Sequence, residues 1–383
     1  CYAADRTGHM LLHTLYVQLM KAAPTVYSEH YCVRLLMENN QCHGAVLWDI
    51  EKGKLLVARA KAVLLATGGY GRAFSMTSNA RINTGDGLAL AYNAGLPLED
   101  MEMVQFHPSG MYGNGFLVSE ASRGEGAFLL NGKKERFMKV YAPQKMELAS
   151  RDVIARAIQT EINHGKGGGV KKDHVWLDLR HLGEKLINER IPEIRKTVHE
   201  QLGIDCTKEL IPIVPTAHYS MGGIPTDVKT RVTNDAQNTP IHGLFAAGEV
   251  GCVSVHGANR LGGNSLLETL VFGRIAGMEM AHFAQTHKTL FHVDETEHIE
   301  QAEKRIESLL QNKTGPKSHV IQEQLQKTMM NDCGIFRDKN GLTRALRVRE
   351  KLEKQSQKIH LDDKSPCFNT DLINALETQN LVS

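Results

Sequence analysis

Residues 61–72, "KAVLLATGGYGR", decide how the chain folds. Ala62 to Ala66 form an unbroken apolar run, which suits a strand in a sheet covered on both faces. The run passes directly into Thr67-Gly68-Gly69-Tyr70-Gly71. A glycine turn at the end of a parallel strand is where open α/β sheets bind ligands. "NTGDGLALAYNAG" (83–95) likewise starts as a glycine turn and continues as a helix. "GLFAAGE" (243–249) is a second buried strand, ending in Gly–Glu. "SVHGANRLGGNSLLETLVFG" (254–273) follows it, with His256, Asn259 and Arg260 in a polar loop and an apolar helix starting after Asn264 and Ser265. A helix N-terminus offers unpaired N–H groups and partial positive charge, and glycines admit a ligand to the backbone. The stretch reads either as an anion site or as a tight turn with Arg260 in solvent.

Outward from these strands, Leu11, Leu12, Leu15 and Leu19 have helical spacing over residues 8–22. Hairpin strands follow, with turns at Asn39–Asn40 and Lys52–Gly53. Residues 104–217 are more irregular and mix polar loops with helices over 150–163 and 182–202. From about 296 the chain turns amphipathic and charged, which reads as a helical bundle broken at "KTGPKS". "GKGGGVKK" (165–172) lacks the spacing of a phosphate loop and follows no buried strand, so it reads as a solvated loop.

The 383 residues suffice for two or three domains. A formal charge of +2 favours neither nucleic acid nor a strongly acidic partner. No apolar run is long enough for a bilayer, and there is no signal-peptide pattern. The seven cysteines, at 1, 32, 42, 206, 252, 333 and 367, form no C-x-x-C pair. Zinc or iron–sulfur ligation is not expected, and dispersed cysteines fit a reducing compartment.

Four polar clusters lie in or beside expected loops. "QFHPSG" offers His107, and "LVSEASRGEG" offers Ser119, Glu120 and Arg123. "ASRDVIARAI" offers Arg151, and "PTAHYSMGGIPTD" offers His218. With Arg260 they make a cationic, hydrogen-bonding set of the kind that holds two carboxylates. Taken singly, each has a plainer reading: Arg123 and Arg151 as surface ion pairs, His107 as a turn histidine before Pro108.

The joint pattern is more specific. "ADRTGHMLLHTLY", "ATGGYGR", "NTGDG", "QFHPSG", "SEASRGEG", "ASRDVIARAI", "PTAHYSMGGIPTD", "GLFAAGEVG" and "HGANRLGGNSLLE" run through the chain in order. This resembles the flavoprotein subunit of succinate dehydrogenase and quinol:fumarate reductase over nearly the whole length. "HGANRLGGNSLLE" also resembles L-aspartate oxidase. The resemblance implies an α/β fold: a doubly wound FAD domain (1–103 and 218–290), interrupted by a capping α+β domain (104–217) and followed by helices (291–383).

It implies that succinate and fumarate exchange hydride with FAD while Arg151 transfers the proton. Arginine is an unusual acid, since its intrinsic pKa exceeds 12, and serves only if tightly positioned and re-supplied. Glu120 and Arg123 match the relay to solvent. His107, Ser119, His218 and Arg260 match the carboxylate-binding positions, with Ser119 in place of the usual Thr. Flavin contacts fall on Ala66, Thr67, Gly68, Gly69, Asp86, Glu249, Asn264, Ser265 and Leu266. No metal site is implied. Implied partners are an iron–sulfur subunit and a membrane anchor with quinone, but no nucleic acid. The implied location is peripheral, on the cytoplasmic face of the inner membrane or the matrix face of a mitochondrion.

The family's G-x-G-x-x-G unit and its flavin-linking histidine would precede Cys1, and its last segment would follow Ser383. The chain is therefore expected to be a fragment that holds FAD poorly by itself. A soluble fumarate reductase, an L-aspartate oxidase and a flavin-free scaffold are the rival readings.

Overall fold

The computed structural model describes residues 5–287 and 293–383. Cys1 and the expected domain junction at 290/291 lie outside the described residues. The described chain divides into two compact units. One comprises the chain up to Val26, Met76–Ser78 and Gln105–His218; the other comprises Tyr27–Ser75, Asn79–Val104 and Tyr219–Ser383.

The second unit is built on a six-stranded mixed sheet. His30–Glu38 and Gln41–Asp49 form an antiparallel hairpin, and Lys54–Arg59 adds antiparallel to Gln41–Asp49. Asn39 and Asn40 both take positive φ, 50° and 61°, as a two-residue hairpin turn requires. The "AVLLA" run gives the strand Val63–Leu65, parallel to Pro240–Ala246 with Val63 opposite Leu244 and Leu65 opposite Ala246. Leu65, Leu244 and Ala246 are buried. The helix Asp86–Asn93 packs Leu88, Leu90 and Ala91 into the same cluster as Leu35, Leu65, Ile241 and Leu244.

The charged C-terminal region forms the helices Thr296–Gln311, Ser318–Asp332, Lys339–Ser356 and Thr370–Val382. "KTGPKS" separates the first two, because Pro316 lacks the N–H that a continuing helix needs. Asp338 and Asn369 cap the last two by accepting the N–H groups of Gly341 and Leu372, each at 2.8 Å. Their apolar faces close on Val33, Val46 and Trp48 of the sheet.

In the first unit, Val104–Met111, Ile211–Ser220, Val175–Asp178 and Phe128–Leu130 form a four-stranded sheet, in that order. The helix Arg151–Asn163 buries Ile154, Ala157 and Ile158 into its core, a 3- and 4-residue spacing that marks one helix face. Two of these strands differ from the sequence reading, which set "QFHPSG" and the histidine of "PTAHYSMGG" in or beside loops. Both are strands, and Phe106, His107 and Ser109 are buried. Pro108 is compatible with this because Val104–Met111 is the terminal strand of its sheet, flanked on the far side by a short bridge between Gly110 and Leu117. Pro215 lies beyond Ile213, the last residue of its strand paired to Val175–Asp178. The helical stretch 182–202 is two helices, Glu184–Arg190 and Pro192–Leu202, broken where Pro192 starts the second.

Candidate functional site

The first unit brings Arg151, Glu120 and Arg123 together. Arg151 is the first residue of its helix, where the helix dipole disfavours a cation. What holds it there is Glu120: Arg151 Nε donates to Glu120 Oε2 at 2.9 Å, and a second guanidinium nitrogen lies 2.8 Å from the same oxygen. The third nitrogen donates to Gln105 Oε1 at 3.0 Å. The guanidinium is therefore fixed in plane by two acceptors on different elements.

Glu120 precedes the short helix Ala121–Gly124, whose turn places Arg123 4.0 Å from the other Glu120 oxygen. Arg123 is 2% exposed and donates to the Glu147 carbonyl at 2.9 Å. Burial lowers its pKa, and Glu120 opposes that shift. The side chain of Glu120 is 45% exposed, whereas that of Arg151 is 10% exposed. Within this cluster Glu120 is the most exposed side chain and Arg123 the most buried.

His107 and His218 also meet in this unit, edge to face with ring centroids 5.1 Å apart. His218 Nδ1 lies 2.7 Å from Ser78 Oγ. His107 Nδ1 accepts the N–H of Ser109 at 3.2 Å, so a neutral His107 ring carries its proton on Nε2, as a donor. Ser109 and Val118 exchange two hydrogen bonds, Ser109 Oγ to Val118 O at 2.8 Å and Val118 N–H to Ser109 O at 2.9 Å. These seat Ser119 beside the His107 strand, with Ser119 Oγ accepting the Ala121 N–H at 3.4 Å.

The second unit carries Arg260 and the expected flavin residues. Arg260 is 3% exposed, so its solvent reading does not hold in this fold. Its guanidinium lies over the ring of Tyr219 at 4.3 Å, and one terminal nitrogen donates to Leu261 O at 3.2 Å. Four residues on, Asn264 starts the 23-residue helix Asn264–Thr286, with Gly263 in the left-handed region (φ 78°).

Ala66 and Thr67 are exposed at the carboxyl end of the parallel strand pair, and Gly68 turns the chain with φ 73°. Gly69 is buried against Glu249, leaving no room for a Cβ. Glu249 Oε1 accepts the Ser220 N–H at 3.0 Å, and burial raises its carboxyl to about 7. Asp86 opens the helix whose Gly87 packs against Thr67, and its carboxylate takes Thr84 Oγ1 at 2.6 Å, Tyr31 Oη at 2.9 Å and Asn380 Nδ2 at 2.6 Å.

An exposed turn, a glycine-led helix start and glycines at 248, 257 and 263 with open space where a side chain would sit give backbone that a large planar cofactor can approach. The residues present thus fit FAD. Among the described residues no cluster of His, Cys, Asp and Glu is suited to a metal ion.

Gln105 was missing from the sequence reading. It sits two residues before His107, and the period of a strand puts 105, 107 and 109 on one face. Tyr219 and Glu268, described below, were missed as well.

Comparison with known proteins agrees with the resemblance. Residues 1–266 match the family described as FAD binding domain, and residues 322–383 match the fumarate reductase flavoprotein C-terminal family. The chain is 44% identical over 388 residues to the succinate dehydrogenase flavoprotein subunit of Rickettsia bellii, covering all of this chain and 64% of that protein. It is 40% identical to the 8-methylmenaquinol:fumarate reductase flavoprotein subunit of Wolinella succinogenes, covering all of this chain and 62% of that one. Among solved structures it matches an E. coli quinol fumarate reductase chain with a TM-score of 0.92 at 36% identity, covering all of this chain and 66% of that chain. The chain thus spans just under two thirds of these relatives. It belongs to the FAD-binding family of succinate dehydrogenase and fumarate reductase flavoprotein subunits.

Proposed function

We propose that the natural protein interconverts succinate and fumarate, with FAD as its hydride carrier, and passes electrons to an iron–sulfur subunit and, through a membrane anchor, to quinone. The observation that carries this reading is the Arg151–Glu120 pair: an arginine fixed by two acceptors and joined to solvent through one exposed carboxylate. Arg151 protonates the substrate carbon in the reducing direction and accepts a proton in the oxidising one. Glu120 and Arg123 relay that proton between Arg151 and solvent, with Arg123 4.0 Å from the second Glu120 oxygen. His107, His218, Ser119 and Arg260 bind the two carboxylates. The Ala66–Gly69 turn, Asp86, Glu249 and the start of the helix at Asn264–Leu266 would hold the flavin. When bound, FAD would accept the hydride from succinate in its oxidised form and supply it to fumarate in its reduced form.

In domain terms, residues 1–103 and 218–290 form the FAD part, 104–217 the cap and 291–383 the helical part. The grouping of Gln105–His218 in one unit supports the cap; the helix Thr7–Ala22 groups with it as well. The reading makes the protein peripheral to a membrane; no helix among the described residues is long and apolar enough to cross one. The relatives named for succinate dehydrogenase and fumarate reductase support this substrate choice over L-aspartate.

Dye-linked turnover by the natural protein tests the proposal. Succinate must reduce an artificial acceptor, and fumarate must oxidise a reduced viologen. Turnover with L-aspartate and none with succinate would replace it with the oxidase reading.

A further inference from the structure

Arg260 rests on a buried polar cluster that carboxylate binding alone does not explain. Tyr219, whose ring lies under the guanidinium, donates its hydroxyl to Glu268 Oε2. His256 Nε2 lies 2.8 Å from the same oxygen. The Tyr219 and His256 rings meet edge to face, with centroids 5.6 Å apart at 82°. Burial, then Glu268, raises the Tyr219 pKa well above its ordinary value, so the hydroxyl stays a donor.

Glu268 is itself unusual in its setting. The helix Asn264–Thr286 is otherwise largely exposed, and Glu268 and Ala276 are its buried residues. A carboxylate taken out of water costs free energy unless it is paired and hydrogen-bonded. Its two partners here are the ring beneath Arg260 and a histidine four residues before Arg260 in the same loop. A tether at the phenol oxygen and an imidazole against the ring leave Tyr219 a single orientation. A cation over an aromatic face follows that orientation.

We propose that Glu268 is a positioning residue: through Tyr219, and together with His256, it fixes the surface on which Arg260 lies and so the direction in which Arg260 presents its N–H groups to a carboxylate. The inference rests on the reading of Arg260 as a carboxylate-binding residue.

The test uses the flavin-loaded natural protein, with malonate titrated against flavin absorbance and succinate KM and kcat measured alongside. Tyr219→Leu is expected to raise the malonate dissociation constant about tenfold and to raise KM by more than it lowers kcat. Tyr219→Phe keeps the ring but loses the tether, and is expected to give roughly a threefold increase. Glu268→Gln keeps an acceptor oxygen and is expected to cost less than Glu268→Leu. In an Arg260→Ala background Tyr219→Phe is expected to add nothing, because its effect passes through Arg260. An unchanged dissociation constant in Tyr219→Phe overturns the proposal even where Tyr219→Leu does not fold. So does the same loss in both backgrounds, which is what simple packing damage gives. If Arg260→Ala alone leaves malonate binding intact, the reading of Arg260 fails instead.

Discussion

Replacing Arg151 by lysine separates proton delivery from substrate binding. The guanidinium satisfies Glu120 Oε2 through two nitrogens at 2.9 and 2.8 Å and Gln105 Oε1 through the third at 3.0 Å. An ammonium on a flexible stem has no planar fork and cannot hold both acceptors in that geometry. Losing one hydrogen bond to a charged group costs roughly 1.5–3 kcal/mol of stability. The variant should therefore unfold at lower urea concentration but remain folded. The effect on rate is larger. A positioned general acid contributes roughly 10²–10⁴-fold, and the substituted ammonium would stand at a different distance and hydration. The expected result is a fall of that size in viologen-linked fumarate reduction, while the malonate dissociation constant stays within about threefold, because the variant keeps its positive charge. Turnover within a few-fold of the parent would refute the acid assignment. Equal losses in turnover and malonate affinity would make Arg151 a binding residue instead.

If Arg260 binds a carboxylate as proposed, Arg260→Ala removes a buried, charge-assisted contact and should weaken malonate binding by about 2–5 kcal/mol, read by flavin difference absorbance. Gly69→Ala drives a methyl group into Glu249 and should lower stability by about 1–3 kcal/mol in urea unfolding; an unchanged midpoint would contradict the close approach. Glu249 also gives a pH signature. Its carboxyl is raised by burial from 4.5 to about 7, so between those values the folded chain holds a proton that the unfolded chain has released. Its contribution is therefore greatest below pH 4.5 and is lost as pH rises to 7, about 3 kcal/mol across the window. Unfolding of the cofactor-free chain at pH 5 and pH 7.5 should show a smaller loss of stability in Glu249→Gln than in the parent. Glu377, raised to about 7 mainly by burial, is common to both proteins and drops out of the difference.

The strands "AVLLA" and "GLFAAGE" were legible because a buried parallel strand is a continuous apolar run, and that signal survives without context. The C-terminal helices were legible from their amphipathic period. The strands carrying His107 and His218 were not. Gln105, His107, Pro108, Ser109 and Gly110 have the composition of a loop, and their place in a sheet depends on residues about a hundred positions away. The candidate set of charged residues came from motif order, whereas its wiring came from tertiary structure. The Glu120–Arg123 spacing announced one contact, but nothing local announces that Gln105 meets Arg151 across 46 residues, or Glu268 meets Tyr219 across 49. Exposure was equally hidden: of the two proposed relay residues, Glu120 meets water and Arg123 does not.

The most direct test of the central claim is an anaerobic titration of the flavin-loaded natural protein with succinate, followed in the flavin absorbance band. The account predicts that succinate bleaches the band, that fumarate restores it, and that malonate blocks both. A flavin spectrum indifferent to succinate and fumarate, in protein that retains its FAD, would contradict it.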